Sequence, residues 1–392
     1  AVRARLAAAL GNCLLQRGQA AEALAIAAHT IAALPTADAL LRAQLTIVRS
    51  NASFMLTRYD ETEQLADQAL ALLAQLSEAA ADTLAPLQAQ AHNLLGLALK
   101  MRGEVRLASG HWERAVAYAR SARLRQLENR TLLNLGNLSY EQGDLAGAQR
   151  RYEQALAGAE AVADSYTVGR IVTNLGNIHL ARGEPAAALG QLDQALAIKQ
   201  RTGDRRGLLA TNIQRARALL ALGSNAEAHI LAEQIQAQAE QSGEARLQAH
   251  ALLLLGQIQL YEGLPSLARD SIQAGLSLPG IAGDLALRED LHNYLVLALI
   301  ACGDSQAARR YLADQQVGAS VEVAMERVLI GGVLALASGE AAAVGTAVQA
   351  VVEQATSTGY LVYASLARRL AAAAAPPINL LPRLLLGPDP QG

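Results

Sequence analysis

The sequence predicts an all-α protein: a right-handed superhelical solenoid of about nine helix hairpins, closed by a C-terminal capping helix. Three observations carry that prediction. Apolar residues make up 52% of the chain but aromatic residues only 3%, with one Trp and one Phe. Ala and Leu dominate, which favours helix over pleated sheet. Glycines stand at 103, 143, 183, 223, 263 and 303, each 40 residues after the last. Each is followed five residues later by Ala and preceded seven residues earlier by a small residue, Val296 being the exception. Coupled columns at one period are the signature of a repeat array.

The register runs to both ends. Gly18 has Gly11 before it and Ala23 after it, and a degenerate unit centres on Thr57 with Ser50, Thr62 and Ala69-Leu70. From 57 to 103 the spacing is 46, so about six extra residues fall near Ser77–Pro86, where a long connecting loop and hinge is expected. Gly339, with Gly332 and Val344, closes the series. The array thus spans residues 1–355, turning at 18, 57, 103, 143, 183, 223, 263, 303 and 339. Residues 356–375 read as a capping helix with Arg368 and Arg369 near its end, as an array needs to cover its last apolar face. The Pro/Leu-rich tail, 376–392, reads as packing on the cap or as a linker end, with a docking motif as a third reading.

One unit shows the logic. Leu132, Leu135, Gly136 and Ser139 form one stripe of a first helix. Gln142-Gly143-Asp144 breaks it, the glycine relieving left-handed strain and Asp144 able to cap the second helix. Leu145, Ala148, Tyr152, Ala155 and Leu156 form the buried face of that second helix. Gly136 and Ala148 let the two helices approach closely, and Tyr152 fills the space beside them. A lone hairpin cannot bury its apolar face, so neighbours must stack.

The segments LLNLGNLSYEQGDLAGAQRRYEQAL (132–156) and VTNLGNIHLARGEPAAALGQLDQAL (172–196) resemble tetratricopeptide repeats. That family carries a small-residue LG pair, Gly at the turn, Ala early in the second helix, an aromatic, then Ala-Leu, at a usual period of about 34 residues. A period of 40 implies helices about one turn longer. Such repeats are similar to those of cell-polarity adaptors, kinesin light chains, bacterial peptide-sensing regulators and the arms of multidomain transcription activators. The resemblance is weak at the Thr57 unit and the last one.

Net charge is −2, from 33 basic and 35 acidic residues, which excludes a strongly basic nucleic-acid footprint. All basic residues but Lys100 and Lys199 are arginines, as in GC-rich bacterial genomes. Cys13 and Cys302 lie far apart and are expected as buried reduced thiols. No run approaches a membrane span and no signal peptide opens the chain, so a cytoplasmic protein is expected. The start at Ala1, inside the first repeat, suggests a module of a longer protein, though Met removal would also account for it.

The catalytic signatures GxxxxGK[ST], GxSxG and HExxH and metal-spaced Cys pairs do not occur, so the expectation is a non-enzyme without cofactor or metal. His92, His179 and His292 fall on buried stripes and read as core histidines.

What remains is the groove face of the first helices. The Gly143 unit presents Arg130, Leu133, Asn137, Tyr140 and Glu141, and the Gly183 unit presents Arg170, Thr173, Asn177 and Leu180. Asn12, Asn93, Arg217, Gln257, Tyr261 and Asn293 extend that surface, with apolar members Leu97, Leu180, Leu220, Leu253, Leu260 and Leu297. In the families resembled, amides and basic residues here hold the backbone and carboxylates of an extended peptide. The chemistry suits this, since an amide both donates and accepts and arginine grips carboxylate with two prongs. The same asparagines could instead bond within the array, and the arginines simply solvate it. The expectation is therefore a module that binds a peptide or protein segment, as the sensor arm of a larger bacterial regulator. A constitutive scaffold, a small-molecule receptor and self-association through a terminal repeat are the alternatives.

Overall fold

The computed structural model describes residues 2–36, 38–76, 81–281, 284–314, 320–340 and 342–372. Among these residues there are nineteen α-helices and no strand. The first pairs are α1 (Val2–Gln16) with α2 (Ala20–Ala32), α3 (Ala39–Met55) with α4 (Tyr59–Ala74), and α5 (Ala81–Met101) with α6 (Val105–Ser121). Next come α7 (Arg125–Glu141) with α8 (Leu145–Ala161), α9 (Ser165–Ala181) with α10 (Pro185–Thr202), and α11 (Arg205–Ala221) with α12 (Asn225–Ser242). The last are α13 (Ala245–Tyr261) with α14 (Pro265–Leu276), α15 (Leu285–Ala301) with α16 (Ser305–Asp314), and α17 (Val321–Ala337) with α18 (Ala342–Thr358). A single helix, α19 (Leu361–Ala372), comes after the ninth pair. The architecture is an all-α solenoid of hairpins, and no described helix is long and apolar enough to cross a membrane.

Each hairpin turns on a left-handed residue. Gly143, with φ of 83°, donates its N–H to Tyr140 O at 2.9 Å, and Asp144 N–H reaches back to Ser139 O at 2.8 Å. These two bonds satisfy carbonyls that the end of α7 would otherwise orphan, a geometry that only glycine enters without strain. Asp144 Oδ1 then accepts the N–H of Gly147 at 2.8 Å and caps α8.

Three local expectations are corrected. Helix α5 begins at Ala81 and carries Pro86 within it, so the extra residues there lengthen a helix to 21 residues instead of forming a loop. Pro86 is the sixth residue of that helix, past its first turn, so it leaves the carbonyl four residues earlier without its usual N–H donor. Residues 77–80 lie outside the described residues. At the other end, Ser357 and Thr358 complete α18, and the chain turns at Gly359 (φ 86°) before α19. The rest of the expected cap, 373–375, and the tail 376–392 lie outside the described residues. Cys13 and Cys302 are both exposed, the first within α1 and the second at the C-cap of α15.

The chain divides into two compact units. The first comprises the described residues of Ala1–Leu138 together with Arg151–Asp164. Here the small-residue column does its packing: a Cβ on Gly96 would stand 2.5 Å from the Trp112 indole, and one on Gly136 would strike the Tyr152 ring. Trp112 is 1% exposed, and its Nε1–H donates to Asn93 O at 3.3 Å. Ala4, Leu14, Leu15, Leu45 and Val48 join α1 to α3 in a shared core.

The second unit comprises Ser139–Arg150 and the described residues of Ser165–Gly392. Its largest core runs through α13, α15, α17, α18 and α19 and includes Leu145. Tyr360, wholly buried, donates its hydroxyl to Tyr140 O at 2.8 Å, and Leu145 Cβ lies 3.7 Å from where a Cβ on Gly359 would stand. The cap thereby closes against the end of α7 and the start of α8 within this unit.

Candidate functional site

That closure leaves a cleft of about 340 Å³ in the second unit. Its wall is built from the first helix of successive hairpins, which supply Tyr140, Asn177, Arg217, Gln257, Asp290 and Glu326, while α19 contributes Val362 and Tyr363. Every first helix from α7 to α17 contributes because stacking turns the same face of each inward. Two amides of this wall have unmet bonding capacity. Gln257 is 4% exposed yet lines the cleft, and its side chain has no hydrogen-bond partner among the described residues. Asn177 Oδ1 is buried without a partner.

The part of this wall supplied by α15 and α17 is acidic. Glu322 accepts the hydroxyls of Tyr140 and Tyr363, each at 3.3 Å. Glu326 accepts the Tyr294 hydroxyl at 2.7 Å and the Asn293 amide at 3.3 Å. Asp290 has no hydrogen-bond partner among the described residues; burial, then Glu326, pushes its carboxyl well above the usual range against the pull of Arg217. Burial likewise raises Glu322 and Glu326, opposed at Glu322 by Arg217 and the tyrosine hydroxyls and at Glu326 mainly by its hydrogen bonds. Burial works against the charge of Arg217, but Asp290, Glu322, Tyr294 and Glu326 outweigh it and hold the guanidinium protonated. No carboxylate among the described residues comes within 4.0 Å of Arg217, so it shares the field of the acids without a bonded pair. Such a cleft offers amide groups for a peptide unit and charge for its side chains. No group of three or more His, Cys, Asp or Glu side chains placed to hold a metal ion occurs among the described residues.

Residues 127–201 match the family model for tetratricopeptide repeat. That segment carries tetratricopeptide repeats. Solved structures agree at the level of fold. A Rap protein complexed with Competence and Sporulation Factor is similar over 95% of this chain and 97% of its own, at 13% identity and a TM-score of 0.61. The apo form of the quorum sensor NprR from B. thuringiensis is similar over 79% and 85%, at 15% identity and a TM-score of 0.60. NprR in complex with its cognate peptide NprX is similar over 97% of each chain, at 15% identity and a TM-score of 0.55. Comparison with curated protein sequences gave no match.

The hairpins distribute the expected groove residues unevenly. Tyr140, Asn177, Arg217 and Gln257 come together in the cleft. Asn293 is 1% exposed and sits inside the wall, its Nδ2 bound to Glu326 and to Val323 O, so it positions an acid instead of facing a ligand. Arg170 is half-buried on α9 and its charge acts on Lys199. The first unit holds the rest. Asn137 Oδ1 accepts the Tyr152 hydroxyl at 2.9 Å, and Asn93 Oδ1 accepts Thr131 at 3.4 Å, so both serve hydrogen bonds within the array. Asn12 and Arg130 are exposed. Among the apolar positions, Leu180 and Leu220 line the cleft, whereas Leu253, Leu260 and Leu297 are buried in the core. His92 is buried, bonded to His111 at 3.0 Å; His179 and His292 are only half-buried.

The acids and Tyr294 and Tyr363 were not singled out from the sequence, yet a signal was there. Thirteen residues before the turn stand Arg130 and Arg170, and the same column continues as Ala210, His250, Asp290 and Glu326. That column changes sign along the chain, and its last two members, Asp290 and Glu326, line the cleft.

Proposed function

We propose that this chain is a non-catalytic recognition module whose second unit binds an extended peptide segment, serving as the regulatory arm of a larger bacterial signalling or transcription regulator in the cytoplasm. The observation that carries the reading is the cleft with two unpartnered amides, Gln257 and Asn177, on first helices α13 and α9 either side of α11. A buried amide oxygen without a partner costs about 1–3 kcal/mol, a cost that a peptide N–H would remove at Asn177 Oδ1, while Gln257 offers its amide to the cleft. Relatives in fold were solved with a peptide or signalling factor bound, which supports the same use here. Ligand binding would act by shifting the packing between stacked hairpins.

The test uses the full chain immobilised and a synthetic library of randomised octapeptides, with retained peptides sequenced by mass spectrometry. A defined subset of sequences should be enriched on the native chain. Enrichment should vanish on the Asn177→Leu/Gln257→Leu double variant, once its helicity and Tm match the parent. Absence of any enriched sequence, or equal enrichment on the variant, overturns the proposal.

A further inference from the structure

We infer that the acidic wall of the cleft, Asp290 with Glu322 and Glu326, receives a cationic group of the bound segment, an α-ammonium, a lysine ammonium or an arginine guanidinium. The inference rests on the peptide-binding reading above and names the chemistry of its ligand. Three carboxyl side chains from α15 and α17, Asp290, Glu322 and Glu326, line the cleft with one cation, Arg217, among its described lining residues. Charges buried out of water need partners, and here the acids outnumber theirs. Tyrosine hydroxyls and Asn293 occupy Glu322 and Glu326 in part, but Asp290 has no donor among the described residues.

Unbalanced acids alone would not mark a site. The independent observation is Gln257, only 4% exposed and lining the cleft with no hydrogen-bond partner among the described residues. A ligand backbone at Gln257 would lie between the acids of α15 and α17 and the amide of Asn177 on α9, so one extended segment can meet both. A metal ion is disfavoured as the occupant, because the acids are not grouped as three ligands around one point among the described residues.

The experiment extends the octapeptide selection. One library has free N-termini but no Lys or Arg, a second is Nα-acetylated and contains both, and a third is acetylated and lacks both. Enrichment in the first library identifies an α-ammonium, enrichment in the second a side-chain cation, and either result supports the inference. Enrichment in the third to the same degree overturns the cation while leaving peptide binding intact; no enrichment in any library overturns peptide binding itself. The best cationic octapeptide is then titrated against Asp290→Asn/Glu326→Gln. Loss of about tenfold or more in affinity is expected, with the acetylated Lys/Arg-to-Gln version of that peptide binding both proteins alike. Unchanged affinity for the cationic peptide overturns the assignment. Because the two substitutions remove mutual repulsion, the variant should fold at least as well as the parent, and its Tm is recorded alongside.

Discussion

Lys199 on α10 is 4% exposed, and its ammonium donates to Thr173 Oγ1 at 2.8 Å, Thr211 Oγ1 at 2.6 Å and Gly207 O at 3.3 Å. Burial pulls its pKa down to about 8, with Asp204 opposing and Arg170 adding to the fall. The unfolded side chain titrates near ~10.4. Below pH 8 both states carry the charge, so the native state bears the full cost of burying it. As pH rises from 8 towards ~10.4 the native state loses its proton first and that cost disappears. The threonines do not depend on the lysine: Thr173 also donates to Gly169 O at 2.9 Å and Thr211 to Gly207 O at 2.8 Å. Lys199→Met should therefore leave no orphaned group and stabilise the protein at pH 7 by about 1–3 kcal/mol. Denaturant melts at pH 7 and at pH 10 check this; the gain must shrink at the higher pH, and a loss of stability at pH 7 refutes it. In the sequence Lys199 is one of the chain's two lysines and lies on an amphipathic helix, where a solvated tip is the default. Its burial depends on Thr173 and Thr211 of neighbouring helices, whose convergence no local pattern reveals.

In the hairpin, the small-residue column and the bulky residue nine after the turn form one device. Gly96 lies under Trp112 as Gly136 lies under Tyr152, and Trp112 is tethered through its indole N–H. Gly96→Ala should cost about 1–3 kcal/mol, because the indole has nowhere to move. Gly110, inside α6 with no atom within 4 Å of an added Cβ, is the control: Gly110→Ala should stabilise by up to about 1 kcal/mol through helix propensity. Opposite signs in thermal melts are the expected result; equal signs would mean the column is not a packing device. This part of the hairpin was legible, since glycine and its partner recur at a visible period. A second turn was not. Arg123, Ala163, Gly203 and Gly243 also repeat every 40 residues and all have positive φ, from 54° to 70°, at the return to the next hairpin. Arg and Ala in the first two positions hide the column, because only glycine announces a left-handed residue. Ala163→Gly should gain about 0.5–1 kcal/mol by relieving that conformation, as a shift in denaturation midpoint would report.

Over the whole chain a net charge of −2 conceals the concentration of acid in one cleft, and composition cannot reveal it because only stacking brings α7, α11, α15, α17 and α19 together. Following the turn-minus-thirteen column past Arg170 would have exposed Asp290 and Glu326, but not Glu322, which lies off that column, nor the tyrosines that hold it. The acids leave a signature in global stability. Asp290, Glu322 and Glu326 are all raised in the folded protein, chiefly by burial, so the native state holds protons that the unfolded chain releases. Their contribution is fully present below the ordinary carboxylate value of ~4 and is lost as pH rises through the raised values. His92 and His250, each lowered to about 4 by burial first, act in the opposite sense between about 4 and 6.5. Comparing the parent with Asp290→Asn/Glu326→Gln cancels the histidines, which both proteins share. Near pH 4 the two proteins should melt alike, since protonated carboxyl and amide are both neutral. Towards pH 8 the variant should become the more stable by about 1–4 kcal/mol, as uncompensated buried charge is removed. Saturating cationic peptide should narrow that gap by stabilising only the parent, since a ligand adds RT ln(1 + [L]/Kd) to whichever protein binds it. A gap that is constant with pH would mean that the acids are already paired in solution and that the cleft carries no excess charge for a ligand to meet.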